Sequence, residues 1–343
     1  MIIALDGMGG DNAPIDAVGG AILASREFGI DIALVGEPQL LHAELERQGA
    51  AAQAIQIVSA SEVIGMDEAP AQAVRQKKDA SINVAMQLVK KGVASGVVSA
   101  GNTGAVMTSA LLNLGRVPGI ERPALGTLAP YTEAGILVLD VGANADCKPN
   151  YLVQFAQMGS VYAQKVQGIP HPRIGLLNIG EEDTKGNELA QEVFRLLTKS
   201  GLNFVGNVEP DRISMNVADV IVTDGFTGNM AVKATEGAAE FIFRQLRDVI
   251  LSRTQYKLAA AILRPALLKM RQRMDYGEYG GAPLLGVNGV VIITHGRADE
   301  NAIKNSIRRA GETASSGLLE TLRGAFSRRH PAAVSSDSSA TSV

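Results

Sequence analysis

The chain reads as a layered α/β protein, a Rossmann-like αβα arrangement with one sheet between helices. Three observations predict this. Short apolar runs alternate with glycine-bearing loops and helical stretches along most of the 343 residues. Glycine is abundant, at 37 residues, while aromatic residues make up 4% and tryptophan is absent, a balance that suits α/β layers better than an all-β sandwich. Hydrophobic residues are 46% of the chain, enough for one large core or two intermingled lobes.

Each element follows in order. IIAL opens as a strand, and Pro14 suits the first turn of a helix over 14–28. IDIALVG at 30–36 is the second strand, 38–48 a helix, and IQIVSA at 55–60 the third strand. A strand near 94–99 runs into the loop SAGNTGA and a helix over 103–115. Strands near 124–129 and 135–141 precede a long helix over 149–167. A strand at 173–178 and a helix at 188–200 come next. Three more strands are expected near 203–207, 218–223 and 290–294. Helices fill 228–274 and 299–323, and Pro265 is expected to break or kink the first of these. Residues 1–326 are thus expected to form one α/β catalytic domain or two intermingled lobes, followed by a disordered Ser/Ala-rich tail at 327–343.

Composition excludes several classes. The net charge of −3 and pI near 5.9 give no electrostatic footprint for nucleic acid. A single cysteine, Cys147, rules out an internal disulfide and a CxxC metal site. No HExxH motif occurs, and neither a metal nor a cofactor is expected. The first strand comes at the start of this sequence and no run of 18 apolar residues occurs, so neither a signal peptide nor a membrane span is expected. A cytoplasmic protein, soluble or peripheral to a membrane, is expected.

In open α/β folds ligands bind beyond the carboxyl ends of strands. The loops there are DGMGGD, SAGNTGA, DVGANADCKP, NIGEEDTKGN, GNVEPD, TDGFTGN and THG, which the alternating pattern places at the same end of the sheet. Ordinary turns use the same residues, so each loop alone is equally well a turn. DGMGGD lacks dinucleotide spacing, and no Walker lysine follows a glycine loop. Gly9 and Gly10 permit close approach of a ligand, and backbone N–H groups there suit phosphate, whereas Asp6 and Asp11 suit orienting roles. Thr103 can cap the helix it begins, leaving Asn102 as a substrate contact. Asp140 and Asn144 are positioning candidates, and Cys147 reads as a packing or lining residue rather than a nucleophile. Lys185 can supply positive charge to an oxyanion, or be part of a solvated turn. Asp224, Thr227 and Asn229 precede a helix, where Thr227 reads as its cap, and Phe226 either lines an apolar pocket or packs. His295 follows the last strand, as a site residue or a structural one.

Residues 244–274 carry eight Lys or Arg against one acid, Asp248. Apolar residues sit between these charges. An amphipathic hairpin with an apolar tip and basic flanks is expected, suited to an anionic membrane surface or an acidic protein partner. Arg253, Lys257, Leu258, Ile262, Leu263, Arg264 and Leu267 are its contact candidates. A dimer interface with a basic rim is the plainer reading.

Taken together, DGMGGDNAP, SAGNTGA, DVGANADCKPNYLVQFAQMGSVYA, LLNIGEEDTKGNE, GNVEPD, TDGFTGN and YGGAPLLGVNG with HG resemble the bacterial phosphate acyltransferases of phospholipid synthesis. The likeness covers about residues 1–322, in order. It departs at Arg297, where smaller residues are common, and in the Ser-rich tail. The resemblance implies a fold similar to the phosphotransacetylase and isocitrate dehydrogenase group. It implies transfer of a long-chain acyl group from acyl carrier protein to inorganic phosphate, feeding a membrane glycerol-3-phosphate acyltransferase. It implies a homodimer, peripherally attached to the inner face of the cell membrane through a helical tip. On that reading Lys185, Asn229, His295 and Asp224 serve catalysis, and Asp6, Gly9, Gly10, Asn102, Thr103 and Asn144 bind substrate. Rival readings are a short-chain phosphotransacetylase using coenzyme A, a dehydrogenase of the related fold, and a membrane-tethered scaffold.

Overall fold

The computed structural model describes residues 1–49, 55–132, 134–274 and 276–327. Two parallel wings make up its sheet. The first contains β1 (Ile2–Asp6), β2 (Asp31–Gly36), β3 (Ile55–Ser59), β4 (Gly96–Ser99) and β11 (Val290–Ile293). The second contains β6 (Ile136–Leu139), β7 (Ile174–Leu177), β8 (Phe204–Val208) and β9 (Val220–Val222). Between them lie β10 (Ala282–Leu285) and β5 (Ala124–Ala129), each antiparallel to both neighbours. The full order is β3-β2-β1-β4-β11-β10-β5-β6-β9-β7-β8.

Side chains alternate between the faces of each strand, and this builds the layers. Ile3 and Leu5 of β1 pack with α1 (Ile15–Phe28), α2 (Pro38–Arg47) and α10 (Glu300–Ser315), while Ala4 faces the opposite layer. That opposite layer holds α3 (Pro70–Gln76), α4 (Ser81–Lys90) and α5 (Thr103–Asn113). On the second wing, α6 (Pro149–Lys165), α7 (Glu188–Thr198) and α11 (Leu318–Ser327) cover the sheet, with Phe155 and Tyr162 fully buried beneath them.

The two antiparallel central strands correct one expectation. The seven loops do follow the carboxyl ends of strands, but the wings run in opposite directions, so the loops leave the sheet as two sets. Sheet twist of about 20–25° per step offsets part of that reversal over the six steps from β1 to β9. Val141 and Ala143, in the loop after β6, lie against the same apolar cluster as Ala105 and Val106 in the first turn of α5.

The long C-terminal helical region also differs from expectation. α8 (Gly225–Ser252) and α9 (Thr254–Met274) form the hairpin, and the chain turns at Arg253, which is extended at φ −142°. Pro265 lies inside α9. The helix tolerates a lost backbone hydrogen bond there, whereas the bend falls where Arg253 stacks over the Tyr256 ring, 5.6 Å from its centroid. Leu258, Ile262 and Leu263 therefore line the first turns of α9 beside the bend rather than flanking a break at Pro265. The helix expected over 299–323 divides into α10 and α11. α3, α4 and β10 were not foreseen. Pro283 in the short run APLL disguises a strand, yet it pairs in register with Ile292. Apart from Ser327, which closes α11, the expected tail lies outside the described residues.

Candidate active site

The first set of loops is built around Asp6, the last residue of β1. Its buried carboxylate accepts the Ser99 hydroxyl at 2.7 Å and the Met8 N–H at 3.3 Å. Ser99 in turn accepts the Gly101 N–H at 3.0 Å. Burial pushes the Asp6 carboxyl above its ordinary range, against the pull of the Ser81 and Ser99 hydroxyls and the Met8 and Gly9 N–H groups. A Cβ on Gly9 would lie 2.7 Å from Asp6 Oδ2 and 2.8 Å from Gly101 N, so only glycine fits between the two loops. The Asp11 N–H donates to Gly296 O at 2.8 Å, which brings the His295 loop alongside Gly10. His295 is exposed, and its Nδ1 accepts the Arg297 N–H at 3.2 Å, leaving Nε2 to carry the proton of the neutral ring. Arg297, the departure noted in the sequence, thus fixes the imidazole through its backbone alone.

Asn102, rather than Thr103, caps α5. Its Oδ1 accepts the Ala105 N–H at 3.1 Å, and its Nδ2 donates to Met66 O at 2.8 Å and Glu68 O at 3.4 Å. One amide therefore fixes a helix start and ties down the 66–68 segment. Thr103 is exposed in the first turn, where the helix leaves N–H groups without intrahelical partners.

The second set centres on Asp140. Its Oδ1 accepts N–H groups of Leu125, Gly142 and Ala143 at 3.2, 3.0 and 2.9 Å. Its Oδ2 accepts the backbone and side-chain N–H groups of Asn144, both at 2.8 Å. Burial raises this carboxyl, and the five donors favour its ionised form. Asn144 Nδ2 also donates to Pro123 O at 2.8 Å, so its N–H groups hold the loop. The N–H groups of residues 142–144 are consumed by Asp140 and do not form an anion seat.

The α8 root rests on this loop. Asp224 caps α8, accepting the Thr227 N–H at 2.8 Å and the Thr227 hydroxyl at 2.7 Å, so Thr227 is the capped partner and not the cap. A Cβ on Gly228 would fall 2.0 Å from Asp140 O, which forces glycine at this crossing. Asn229 is half-buried, and its amide lies beside Gly142. Cys147 donates weakly to Asn144 O at 3.5 Å. Burial, with the nearby Asp140 charge, pushes its thiol up to about 12. It stays a thiol at neutral pH and offers no nucleophile.

Lys185 stands on a latched loop. Asn178 Nδ2 donates to Lys185 O at 3.1 Å, and Asn207 Nδ2 donates to Glu182 O at 2.7 Å. The Lys185 ammonium is half-exposed, 3.8 Å from Glu182, a distance that leaves it available to a ligand oxygen. Asn178 and Asn207 were not singled out from the sequence; an asparagine ending an apolar strand was the available signal for Asn178. Arg253, Lys257, Leu258, Ile262, Leu263 and Arg264 lie exposed along the hairpin, with Leu267 partly buried.

A half-exposed lysine, an asparagine amide beside Gly142 and an exposed imidazole thus stand in segments that each follow a strand, with capped starts at α5 and α8 and no ionised thiol. The fold is that of the phosphotransacetylase and 4-hydroxythreonine-4-phosphate dehydrogenase group. A Streptococcus pyogenes phosphotransacetylase superposes with TM-score 0.59 at 20% identity, covering 92% of this chain and 94% of that one. A Klebsiella pneumoniae 4-hydroxythreonine-4-phosphate dehydrogenase superposes with TM-score 0.55 at 15% identity, covering 92% and 98%. Residues 1–321 match the model of the fatty acid synthesis protein family. A phosphate acyltransferase of Desulfitobacterium hafniense is 51% identical over 94% of this chain and 97% of its own. The chain belongs to the phosphate acyltransferase family and is an acyltransferase of lipid synthesis.

Proposed function

We propose that this enzyme transfers a long-chain fatty acyl group from acyl carrier protein to inorganic phosphate, by direct attack of bound phosphate on the thioester. The observation that carries this reading is the 51% identity with a phosphate acyltransferase, spread over 94% of the chain. A phosphate oxygen forms the new C–O bond, the carbonyl becomes a tetrahedral oxyanion, and collapse breaks the C–S bond. The carrier leaves as a thiolate and takes up a proton. Acyl phosphate and free carrier thiol are the products.

The thioester is already activated, so the enzyme's task is to hold and aim phosphate and to steady the oxyanion. The glycine loops after β1 and β4, with the exposed start of α5 at Thr103, suit the phosphate dianion. Lys185 and the Asn229 amide suit the oxyanion. The Nε2–H of His295 suits protonation of the departing sulfur or orientation of phosphate. Asp224 holds the start of α8, and hence Asn229, in place. The protonated state of Cys147 fits a route with no acyl-enzyme.

The remaining proposals concern setting. The basic, apolar hairpin suits peripheral attachment to an anionic membrane and docking of the acidic carrier, within a homodimer. The acyl phosphate would pass to a membrane glycerol-3-phosphate acyltransferase for phosphatidic acid synthesis. The reaction is tested by supplying palmitoyl-carrier protein or acetyl-coenzyme A with phosphate. Preference for the carrier substrate is expected. Preference for acetyl-coenzyme A would replace this reading with the short-chain phosphotransacetylase one.

A further inference from the structure

The polar loops of the second wing carry an apolar fringe. Ile179, two residues past the end of β7, is 81% exposed, and Phe226 in the first turn of α8 is 64% exposed. Met230, one turn further along α8, is exposed as well. β7 and β9 are adjacent and parallel, so Ile179 and the first turn of α8 follow the carboxyl ends of neighbouring strands. Phe226 and Asn229, three positions apart, share a side of α8.

Large exposed apolar side chains around a polar site call for an occupant. Two cavities among the described residues are too small to seat an alkyl chain. Cavities of about 20 Å³ under β10 and β11, and about 10 Å³ beside Asp6, hold little more than a water each. The hairpin's apolar residues Ile262 and Leu263 stand roughly 20 Å up the helices from Asn229, where they can meet only the far end of a chain. We infer that Ile179, Phe226 and Met230 seat the alkyl chain of the acyl substrate, with its carbonyl toward Lys185 and Asn229. This rests on the proposed acyl transfer to phosphate. Each methylene laid on the fringe leaves water, so binding strengthens with acyl length.

The test compares Phe226→Ser, Met230→Gln and Ile179→Ser with the parent enzyme, using butyryl-, octanoyl- and palmitoyl-carrier protein and phosphate. All three positions are exposed, so far-UV circular dichroism is expected to match the parent. The loss in kcat/KM is expected to grow with acyl length, reaching tenfold or more on palmitoyl and staying within threefold on butyryl. A loss equal at every length, or none at any, overturns the seat. So does a length-dependent loss produced by Leu263→Glu instead. If the parent enzyme itself makes no acyl phosphate, the underlying reaction fails, and the two failures are thereby distinguished.

Discussion

Cys147 shows how much one side chain's surroundings decide. Between Asp140 and the start of α8, its thiol is pushed up to about 12, so at pH 8 roughly one molecule in ten thousand is thiolate. Iodoacetamide is expected to modify it negligibly at pH 8, and Cys147→Ala to retain turnover; rapid alkylation or lost activity would contradict that environment. Lys185 is the opposite case, a half-exposed cation with a weak partner. Lys185→Ala is expected to lower kcat by about 10²–10³, the cost of one oxyanion donor at roughly 3–4 kcal/mol, with circular dichroism unchanged. Full turnover in that variant would remove it from the mechanism. Away from the site, Arg173 binds Asp219 through its backbone N–H at 2.7 Å and its guanidinium at 2.8 and 3.1 Å. Burial pushes the Asp219 carboxyl up, but these bonds outweigh it and hold it below its ordinary value. A depressed carboxyl stabilises the fold above its unfolded pKa of about 4 and loses that contribution as pH falls through the folded value. Asp219→Asn is therefore expected to unfold more easily at pH 7 by about 1 kcal/mol, with Arg173 partly in solvent. The difference from the parent in urea melts should shrink as pH drops below 4.

Among the elements, periodicity located most strands and helices, because apolar runs bounded by glycine are local signals. It failed where the answer is not local. β10 contains Pro283 and gains its identity only by pairing with β5 and β11. Asn102 and Thr103, like Asp224 and Thr227, are both cap-forming types, and only backbone geometry chooses which oxygen receives the N–H. The same limit applied to Pro265, which the sequence marks as a breaker and α9 retains. A proline there costs a helix about 3 kcal/mol relative to alanine. Pro265→Ala is accordingly expected to raise the helical signal and the melting temperature. A fall in both would mean that the chain needs a break at that point.

For the whole molecule, the loops singled out do follow strand ends, but they leave the sheet as two sets rather than one. No local pattern in the sequence announces that β5 and β10 reverse the direction of the second wing. Asp6 was legible as an orienting residue because it ends a strand before glycines; the consumption of the 142–144 N–H groups by Asp140 was not, since five donors converge only in the fold. Beyond the α8 root, the hairpin is exposed along most of its length. Leu263→Glu is expected to weaken binding to anionic vesicles severalfold in a flotation assay while sparing turnover on soluble substrate. Unchanged vesicle binding would send the membrane contact elsewhere. The most direct measurement follows both products in one quenched time course, with palmitoyl-carrier protein and the enzyme, with and without phosphate. Attack by bound phosphate requires acyl phosphate and free thiol in equal amounts, and neither without phosphate. A burst of thiol before phosphate is added, or thiol without acyl phosphate, would contradict it.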